Sequence, residues 1–455
     1  MFDLYLDNFR CFVKQDFNFS RINILIGENS AGKSSILKFL LALKQSIDNP
    51  LESNFKLNGA EVDLGNYEET VYYHKKNLNI RFAFLFGDSY FKFFSDFITE
   101  YFDIKGVGFL KDSNFIKEVK VKFDLSKNLD KNAGIKTHFY NKTLGELIID
   151  IPHLENKGSK FDKRFKCKIV YKKSGNASPY IFEDIDFTKY AFMSLIESQS
   201  LFRELKNQEI DQKIFYEIAY FLISQNYIDY HAKKIKFVNP IMTNPSRFYF
   251  KKDKSSVYNT VDLEKVIDHV QRGNNQSNKL LADLSKLLKN FELADDIDLI
   301  EDAKLPVTEL RIKIRDLFSN VKDVGYGVAL QLPILFQALL SENGKVGETI
   351  LIEQPEVHLH PRLQAKFIEA LLSIGSKNSY FIETHSEHIL RMLQVLVKNK
   401  KFGLKSSDIS IHYFKRDNLK ATVIPISIFE NGQLSQKLPS GFYDNSYYLS
   451  KSLLE

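Results

Sequence analysis

The sequence predicts an α/β fold with two α/β segments towards the ends of the chain and a mainly helical segment between them. The first segment contains an apolar strand, RINILI at 21–26, which runs into a glycine-containing loop and then an apolar helix from Ser34 to Leu43. Strand and helix patterns alternate again from Glu309 to about Ile426. Apolar residues recur with helical spacing from about Thr188 to Ile235 and again from about Leu263 to Phe291, and two prolines at 240 and 245 lie in the break between these blocks.

The first segment also carries a β-rich extension. Strand-like runs occur at Leu78–Phe86, Val119–Phe123, Leu147–Ile151 and Lys166–Lys172. The last run lies within 157–173, which holds eight Lys and Arg residues. Two interpretations are open for this basic run: a solvated hairpin, or an edge that contacts the phosphate groups of DNA.

The bulk composition is that of a globular protein, with 26% charged and 44% hydrophobic residues. The net charge of +6 over 455 residues is a weak indication of nucleic-acid binding. Two cysteines cannot form a disulfide framework and fit a reducing compartment. The N-terminus has no apolar signal-peptide core, and no apolar run approaches the roughly 18 residues of a membrane helix. We therefore expect a cytoplasmic protein with no membrane partner.

The loop GENSAGKS at 27–34 matches the nucleotide-binding pattern G-x-x-x-x-G-K-[ST] in full. It lies between a predicted strand and a predicted helix, the context in which this pattern binds phosphate. Lys33 is expected to neutralise the β- and γ-phosphates, and Ser34 to ligate Mg²⁺. We therefore predict ATP and Mg²⁺ as cofactors. The predicted nucleotide-binding residues are Gly27, Glu28, Asn29, Ser30, Ala31, Gly32, Lys33, Ser34 and Ser35.

A second apolar strand ends in acidic residues, in the segment TILIEQPEVHLHP at 349–361. The pattern is typical of a Walker B strand, so we expect Glu353 to hold Mg²⁺ through a water molecule. Glu356 is a second carboxylate three residues further on. A buried strand followed by a solvated turn is the alternative, but it does not account for so many polar groups behind an apolar strand.

Two further segments complete the predicted site. YFIETHS at 380–386 is another strand that ends in polar residues, and we interpret His385 as a γ-phosphate sensor, although a lone histidine is more often structural. DVGYGVALQLP at 323–333 places Gly325 and Gly327 before a helix, so main-chain N–H groups point outward at the start of that helix. A tight turn is the alternative for these glycines.

The motifs GENSAGKSS, DVGYGV, EQPEVHLHP and ETHSEH occur here in the order found in ABC-type ATPases of the SMC, RecF and OLD class. More narrowly, the chain resembles the compact bacterial AAA/ABC ATPases of anti-phage defence operons. NFR at 8–10, ENGQL at 430–434 and LPSGFYD at 438–444 are similar to terminal elements of that subgroup. The resemblance covers both ends of the chain well and about 90–300 only loosely.

The resemblance implies a bilobed ABC-type P-loop ATPase head with a helical insertion between its lobes. It implies that ATP is sandwiched between two heads, so the chain would be a homo-oligomer, at least a dimer. Gly325 and Gly327 would form the signature that caps the ATP of the partner subunit. His358–Pro361 would lie at the D-loop, and His385 would be the switch histidine.

The sequence departs from the pattern of this class at the catalytic positions. Ala329 and Leu330 stand where a GVSQ-like signature has Ser and Gln, which would remove one hydrogen bond to the γ-phosphate. Gln354 follows the Walker B acid, where the catalytic Glu usually stands, and glutamine orients water but takes no proton at neutral pH. Glu356 is the first replacement base on spacing, and Glu383 the second.

A third departure concerns the Q-loop. No glutamine occurs between Gln45 and Gln199, and DLGNY at 63–67 is the proposed replacement. The three departures together indicate slow hydrolysis without affecting the prediction that ATP is bound.

Four segments follow from the motifs and the resemblance. They are an N-terminal lobe at 1–185, a helical insertion at 186–300, a C-terminal lobe at 301–430 and a tail at 431–455. The insertion takes the place of the coiled-coil arms of SMC proteins, for which it is too short and too interrupted by proline.

The expected function is an ATP-dependent switch with slow hydrolysis that controls an effector protein in anti-phage defence. The alternative is a RecF- or SMC-like ATPase of DNA maintenance that binds duplex DNA. An OLD-type nuclease is a third hypothesis, and that class has its Toprim nuclease domain after the switch histidine. Only about 70 residues follow His385, which is too few for such a domain, and they lack a DxD pair.

Overall fold

The computed structural model describes most of the chain. The described residues are 2–48, 55–87, 90, 119–125, 133–153, 164–176, 178–188, 205, 210–238, 245–250, 261–271, 275–302, 304–418, 420–439 and 451–452. They belong to two compact units, each built from separate stretches of the chain. The first comprises Met1–Phe19, Lys38–Lys233 and Arg416–Thr422, and the second comprises Ser20–Leu37, Lys234–Lys415 and Val423–Glu455.

The first unit is built on an eight-stranded antiparallel sheet. Its strands are β1 (Asp3–Asp7), β2 (Gln15–Phe17), β4 (Ile80–Phe86), β5 (Val119–Leu125), β6 (Ala133–Asn141), β7 (Gly145–His153), β8 (Arg164–Lys173) and β9 (Tyr180–Thr188). They lie in the order β2-β1-β4-β5-β6-β7-β8-β9. Aromatic residues alternate along β4 and bury one face, with the Phe82 and Phe123 rings stacked at 5.0 Å between centroids.

The sheet that carries the phosphate-binding loop lies mostly in the second unit and has six strands. They are β3 (Ile22–Gly27), β10 (Ile235–Val238), β15 (Thr349–Glu353), β16 (Ser379–Glu383), β17 (Ile409–Asp417) and β18 (Lys420–Ile426). Their order is β10-β15-β16-β3-β17-β18, and the pairings from β10 to β17 are parallel. Because carboxyl ends of parallel strands share one edge, the polar residues that follow β3, β15 and β16 come together.

The second unit also contains a smaller sheet of four strands. It contains β11 (Tyr249–Phe250), β12 (Asp296–Glu301), β13 (Val307–Ile314) and β14 (Leu317–Asn320), all paired antiparallel with β13. Leu310 and Ile312 of β13 are fully buried, as expected for a strand with one apolar face.

The described helices begin with α1 (Lys33–Ile47), directly after the phosphate-binding loop. The others are α2 (Tyr67–Thr70), α3 (Gln212–Lys233), α4 (Leu263–Gln271), α5 (Asn275–Asn290), α6 (Tyr326–Glu342), α7 (Pro361–Ser373) and α8 (Glu387–Lys398). Short 3-10 turns occur at Tyr72–His74, Lys401–Gly403 and Ser406–Asp408. No helix among the described residues is both long and apolar enough to cross a membrane.

The predicted α/β class is confirmed. The segment 186–300, which was expected to be a helical insertion, contains strands as well as helices. Within 186–300, α3 belongs to the first unit, whereas β10, α4 and α5 belong to the second. β10 extends the six-stranded sheet by pairing with β15, because its apolar residues Ile235, Phe237 and Val238 continue the buried layer. The domain boundaries at 185, 300 and 430 stay predictions.

The basic run forms β8 and its turn as far as it is described. Lys168 is paired with Glu183 on β9 at 2.5 Å, and Lys172 with Glu146 on β7 at 3.4 Å. Lys157, Lys160 and Lys163 lie outside the described residues. Cross-strand pairing with carboxylates favours the solvated hairpin over the phosphate-contacting edge, because it neutralises these two cations.

Candidate functional site

The phosphate-binding loop begins at a position that only glycine fits. Gly27 has φ +132°, and a β-carbon there would lie 2.1 Å from the main-chain oxygen of Phe414 on β17. The next residue donates its main-chain N–H to the same oxygen at 3.0 Å. The loop therefore leaves β3 tightly against β17 before it turns into α1.

Lys33 is held at the centre of this loop. Its side chain is only 4% exposed, and Nζ donates to the main-chain oxygens of Gly27 at 3.0 Å and Glu28 at 2.7 Å. Burial lowers the pKa of Lys33, and the nearby Glu383 carboxylate acts in the opposite direction. Since carbonyl groups are weaker partners than phosphates, the ammonium group is positioned to exchange them for a bound polyphosphate.

Ser34, the first predicted metal ligand, contacts a carboxylate at the end of β16. Its hydroxyl donates to Glu383 Oε1 at 3.0 Å. Glu353, the second predicted ligand, ends β15 in register with Glu383. A serine hydroxyl with carboxylate oxygens is the donor chemistry that Mg²⁺ prefers, so these residues fit the metal that a nucleotide-binding loop requires.

The turn after β15 contains two non-glycine residues in the left-handed region. Gln354 has φ +45° and His358 has φ +63°. The Gln354 N–H donates to the main-chain oxygen of Glu383 at 2.8 Å, which ties the turn to the end of β16. Such backbone conformations are uncommon for residues with a side chain, and they occur here at the position expected for the catalytic residue and at the predicted D-loop.

Glu356 and His385, two predicted catalytic residues, are brought together. The main-chain N–H of His385 donates to Glu356 Oε1 at 2.7 Å. Burial raises the pKa of Glu356, and this hydrogen bond opposes the rise. Burial and the positive charge of Lys33 lower the pKa of His385, which favours its neutral imidazole. The γ-phosphate sensor role of His385 stays a prediction.

The two glycines predicted to form the signature, at the start of α6, differ in their surroundings. A β-carbon at Gly325 would meet no atom within 4 Å, whereas one at Gly327 would lie 2.9 Å from the main-chain oxygen of His358. Gly327 therefore allows α6 to pack closely on the turn after β15. Ala329 and Leu330, which follow on the helix, are buried at 0% and 2% exposure.

Gln331 is a residue of this site that the sequence reasoning missed. It is fully buried, and its Nε2 donates to the main-chain oxygen of Pro355 at 2.7 Å. Gln331 lies one helical turn after Gly327, so both face the turn after β15. That spacing was the signal available in the sequence, but only the docking of α6 reveals the partner of Gln331.

The segment proposed to replace the Q-loop forms its own local structure in the first unit. Asn66 is the N-cap of α2, and Glu69 completes a capping box with it. The Asp63 carboxylate accepts the N–H of Gly65 at 2.8 Å. These contacts explain why the segment carries several short polar residues. Its predicted role as a Q-loop stays a prediction.

Two family models match the sequence. A model described as an AAA ATPase domain matches residues 1–390. A second, described as a protein of unknown function, DUF3696, matches residues 404–448. No curated protein matches the chain.

Several solved structures are similar to the chain at low sequence identity. An SMC head bound to the C-winged helix domain of ScpA is 10% identical over 94% of this chain and 98% of that one, with a TM-score of 0.42. The SMC head domain from Thermotoga maritima is 11% identical over 93% and 97%, with a TM-score of 0.39. An Smc head with an extended coiled coil, bound to the C-terminal domain of ScpA from Pyrococcus furiosus, is 10% identical over 100% of both chains, with a TM-score of 0.41.

The AAA ATPase model covers the phosphate-binding loop, the strand that ends in Glu353 and the segment around His385. The predicted class of P-loop ATPase is thereby confirmed. Since the match extends over most of the sequence, the chain belongs to the AAA ATPase domain family.

Proposed function

We propose that the chain is an ATP-dependent molecular switch that hydrolyses ATP slowly, assembles by sandwiching ATP between two copies, and controls an effector protein. The observation that carries the proposal is the exposed start of α6. Gly325 is exposed and has open space around it, while Gly327 and Gln331 fix the same helix to the turn after β15. The start of α6 is exposed to solvent, and the helix behind it is packed on the turn after β15. Such a helix N-terminus suits contact with a nucleotide held by another copy.

Within one copy, the described residues divide the tasks of binding and positioning. The loop from Gly27 to Ser34 would surround the phosphates with main-chain N–H groups, and Lys33 would neutralise their charge. Mg²⁺ supplies charge neutralisation at the β- and γ-phosphates when it is bound. Ser34, with Glu353 and Glu383 beside it, is the oxygen-rich part of the site that would hold the metal.

Slow turnover is supported by the residues that surround the expected position of the attacking water. Gln354 can orient a water molecule but cannot accept its proton at neutral pH. Glu356 Oε1 accepts the N–H of His385, which suits a structural link between the two turns. We expect a turnover at or below roughly 1 s⁻¹, the low end of typical values.

Control of an effector protein is supported by apolar residues exposed on the second unit. Phe248 and Phe250 lie in the segment 186–300, and they are 52% and 71% exposed. Leu305 and Leu317 lie just beyond that segment and are 61% and 70% exposed. Large apolar side chains at a surface are the groups that protein partners cover. The defence role itself rests on the resemblance to ATPases of anti-phage operons.

The experiment that tests the switch measures the mass of the purified protein by light scattering, with and without ATP and Mg²⁺. We expect the wild-type chain to associate on adding ATP. Gly325→Arg, which the open space at this position accommodates, should bind ATP and fail to associate. Val346→Arg, which introduces the same side chain at an exposed position beyond the other end of α6, is the control. If the Gly325 variant associates at the same ATP concentration as the wild type does, the ATP sandwich is contradicted.

DNA maintenance is the second candidate function, and a binding assay separates it from the first. The ion pairs of Lys168 and Lys172 reduce the positive charge available on β8. Duplex DNA that binds the ATP-bound wild type, and not Lys33→Ala, would favour the RecF-like alternative. An effector that binds the ATP-bound form in the absence of DNA would favour the proposed switch.

A further inference from the structure

Glu383 ends the strand that lies next to the phosphate-binding strand. β16 pairs directly with β3, whereas β15, which carries Glu353, is separated from β3 by β16. Neighbouring strands are about 4.8 Å apart, so Glu353 starts about twice as far from the loop strand as Glu383 does. The residue that the Walker B pattern assigns to Mg²⁺ is therefore the more distant of two carboxylates at the same edge.

The hydrogen bond from Ser34 gives Glu383 a specific task. A serine hydroxyl has one proton to donate and two lone pairs that can bind a cation. The Ser34 proton is directed to Glu383 Oε1 at 3.0 Å. The lone pairs of the same oxygen are thereby turned away from the carboxylate and left available to a metal. Glu383 thus orients the ligand atom in the way that outer-shell carboxylates orient other metal ligands.

The charges around Glu383 also match a cation site. Glu383 and Lys33 are each 4% exposed, so both charged groups are removed from water. A buried carboxylate is unfavourable unless cations or hydrogen-bond donors compensate it. Lys33 and the Ser34 hydroxyl supply part of this compensation. A divalent cation bound at Ser34 would bring further positive charge to the same carboxylate.

We propose that Glu383 is part of the Mg²⁺ site, as the residue that positions Ser34 and stabilises the metal from the end of β16. The proposal rests on the proposed binding of ATP with Mg²⁺ and deepens it by naming a second carboxylate. In this arrangement Ser34 ligates the metal, Glu383 accepts the proton of Ser34, and Glu353 acts from the next strand.

The test measures ATP affinity by isothermal titration twice, with Mg²⁺ and with EDTA. Glu383→Gln keeps the size of the side chain and an oxygen acceptor but removes the charge. We expect its affinity for ATP with Mg²⁺ to fall about 10- to 100-fold, the effect of losing an outer-shell partner, and its affinity in EDTA to stay unchanged or rise. Glu387→Gln, which removes a charge in the first turn of α8, is the matched control and should leave both affinities unchanged.

Two outcomes would overturn the proposal. In the first, the ATP affinity of Glu383→Gln depends on Mg²⁺ as strongly as that of the wild type, while Glu353→Gln loses this dependence. That result would assign the metal to Glu353 alone. The second is an equal loss of affinity with Mg²⁺ and with EDTA, which would give Glu383 a general role in shaping the loop. If Lys33→Ala retains ATP affinity, the binding site itself is wrong, and that result is distinct from both.

A double-mutant cycle tests whether Ser34 and Glu383 act as a unit. Ser34→Ala removes the hydroxyl that Glu383 would position. Adding Glu383→Gln to Ser34→Ala should therefore change the Mg²⁺ dependence of ATP affinity less than Glu383→Gln changes it in the wild type. Fully additive effects would contradict the positioning role. If Glu383→Gln does not fold, Glu383→Asp tests the positioning role instead, because it keeps the charge but shortens the side chain by one methylene and should weaken the hydrogen bond from Ser34. A wild-type Mg²⁺ dependence in Glu383→Asp would likewise contradict the positioning role.

Discussion

Glu356 and His385 are joined by a 2.7 Å hydrogen bond, in which the main-chain N–H of His385 donates to Glu356 Oε1. The bond links the turn after β15 to the turn after β16. A second link lies beside it, where the Ser386 hydroxyl donates to Gln364 Oε1 at 2.6 Å. The segment that should sense the γ-phosphate is therefore attached by two hydrogen bonds to Glu356 and Gln364, which lie on either side of the predicted D-loop.

The first prediction separates a positioning role of Glu356 from the role of general base. Glu356→Gln retains an acceptor for the His385 N–H, so we expect it to keep most of the ATPase activity. Glu356→Ala should lose at least about tenfold, since it removes a hydrogen bond to a carboxylate, worth about 1.5–3 kcal/mol. Steady-state hydrolysis at saturating ATP measures both. A loss beyond about a hundredfold in the glutamine variant would identify Glu356 as the base.

The second prediction concerns Gln331 as the link between α6 and the turn after β15. Gln331→Leu removes the donor to the Pro355 oxygen, which destabilises this contact by about 1–3 kcal/mol. We expect ATP binding by isolated chains to persist while ATP-dependent association and hydrolysis fall. Gln337→Leu on the same helix, which loses a contact with Glu348, is the control for simple destabilisation. Equal effects of the two variants on association would contradict the link.

The third prediction tests whether the missing catalytic carboxylate limits the rate. Gln354→Glu places a proton acceptor directly after the Walker B acid and should raise the single-turnover rate by about a hundredfold, the usual contribution of a general base. Gln354→Asn is the control, because it changes the side chain without adding a base. A wild-type rate well above roughly 10 s⁻¹, the typical median, would show that Gln354 is no obstacle.

The fourth prediction is a loss of stability in acid that originates at His412 on β17. Burial lowers the pKa of His412 from 6.5 to about 4. Because the folded-state pKa lies below the unfolded-state value, the stabilisation by neutral His412 is complete above about pH 6.5. It is lost as the pH falls towards 4, by about 3 kcal/mol in total. Urea unfolding of wild type and His412→Asn at pH 7.5 and 5 should show a smaller acid effect in the variant, and an equal effect would refute the assignment.

The parts of the site that depend on local sequence could be predicted. The loop at Gly27–Ser34 and the polar ends of the strands at Glu353 and Glu383 can each be recognised from a few consecutive residues, and the structure places all three at one sheet edge. The α/β class follows from the same alternation of apolar strands and helices.

Contacts between distant segments could not be predicted, because they depend on strand order and on how helices dock. The pairing of Ser34 with Glu383 requires β16 to lie beside β3, which no motif states. The burial of Ala329 and Leu330 likewise follows from the docking of α6. Restoring Ser and Gln there would bury polar groups, so the signature is better tested at Gly325.

The central claim is that the loop around Lys33 binds ATP and that every later event depends on this binding. Isothermal titration of Lys33→Ala with ATP and Mg²⁺, beside wild type, tests it most directly. Removing one partner of a buried charge interaction costs about 2–5 kcal/mol, so we expect the affinity to fall at least about thirtyfold and ATP-dependent association to be abolished. An affinity for ATP close to that of wild type would contradict the account.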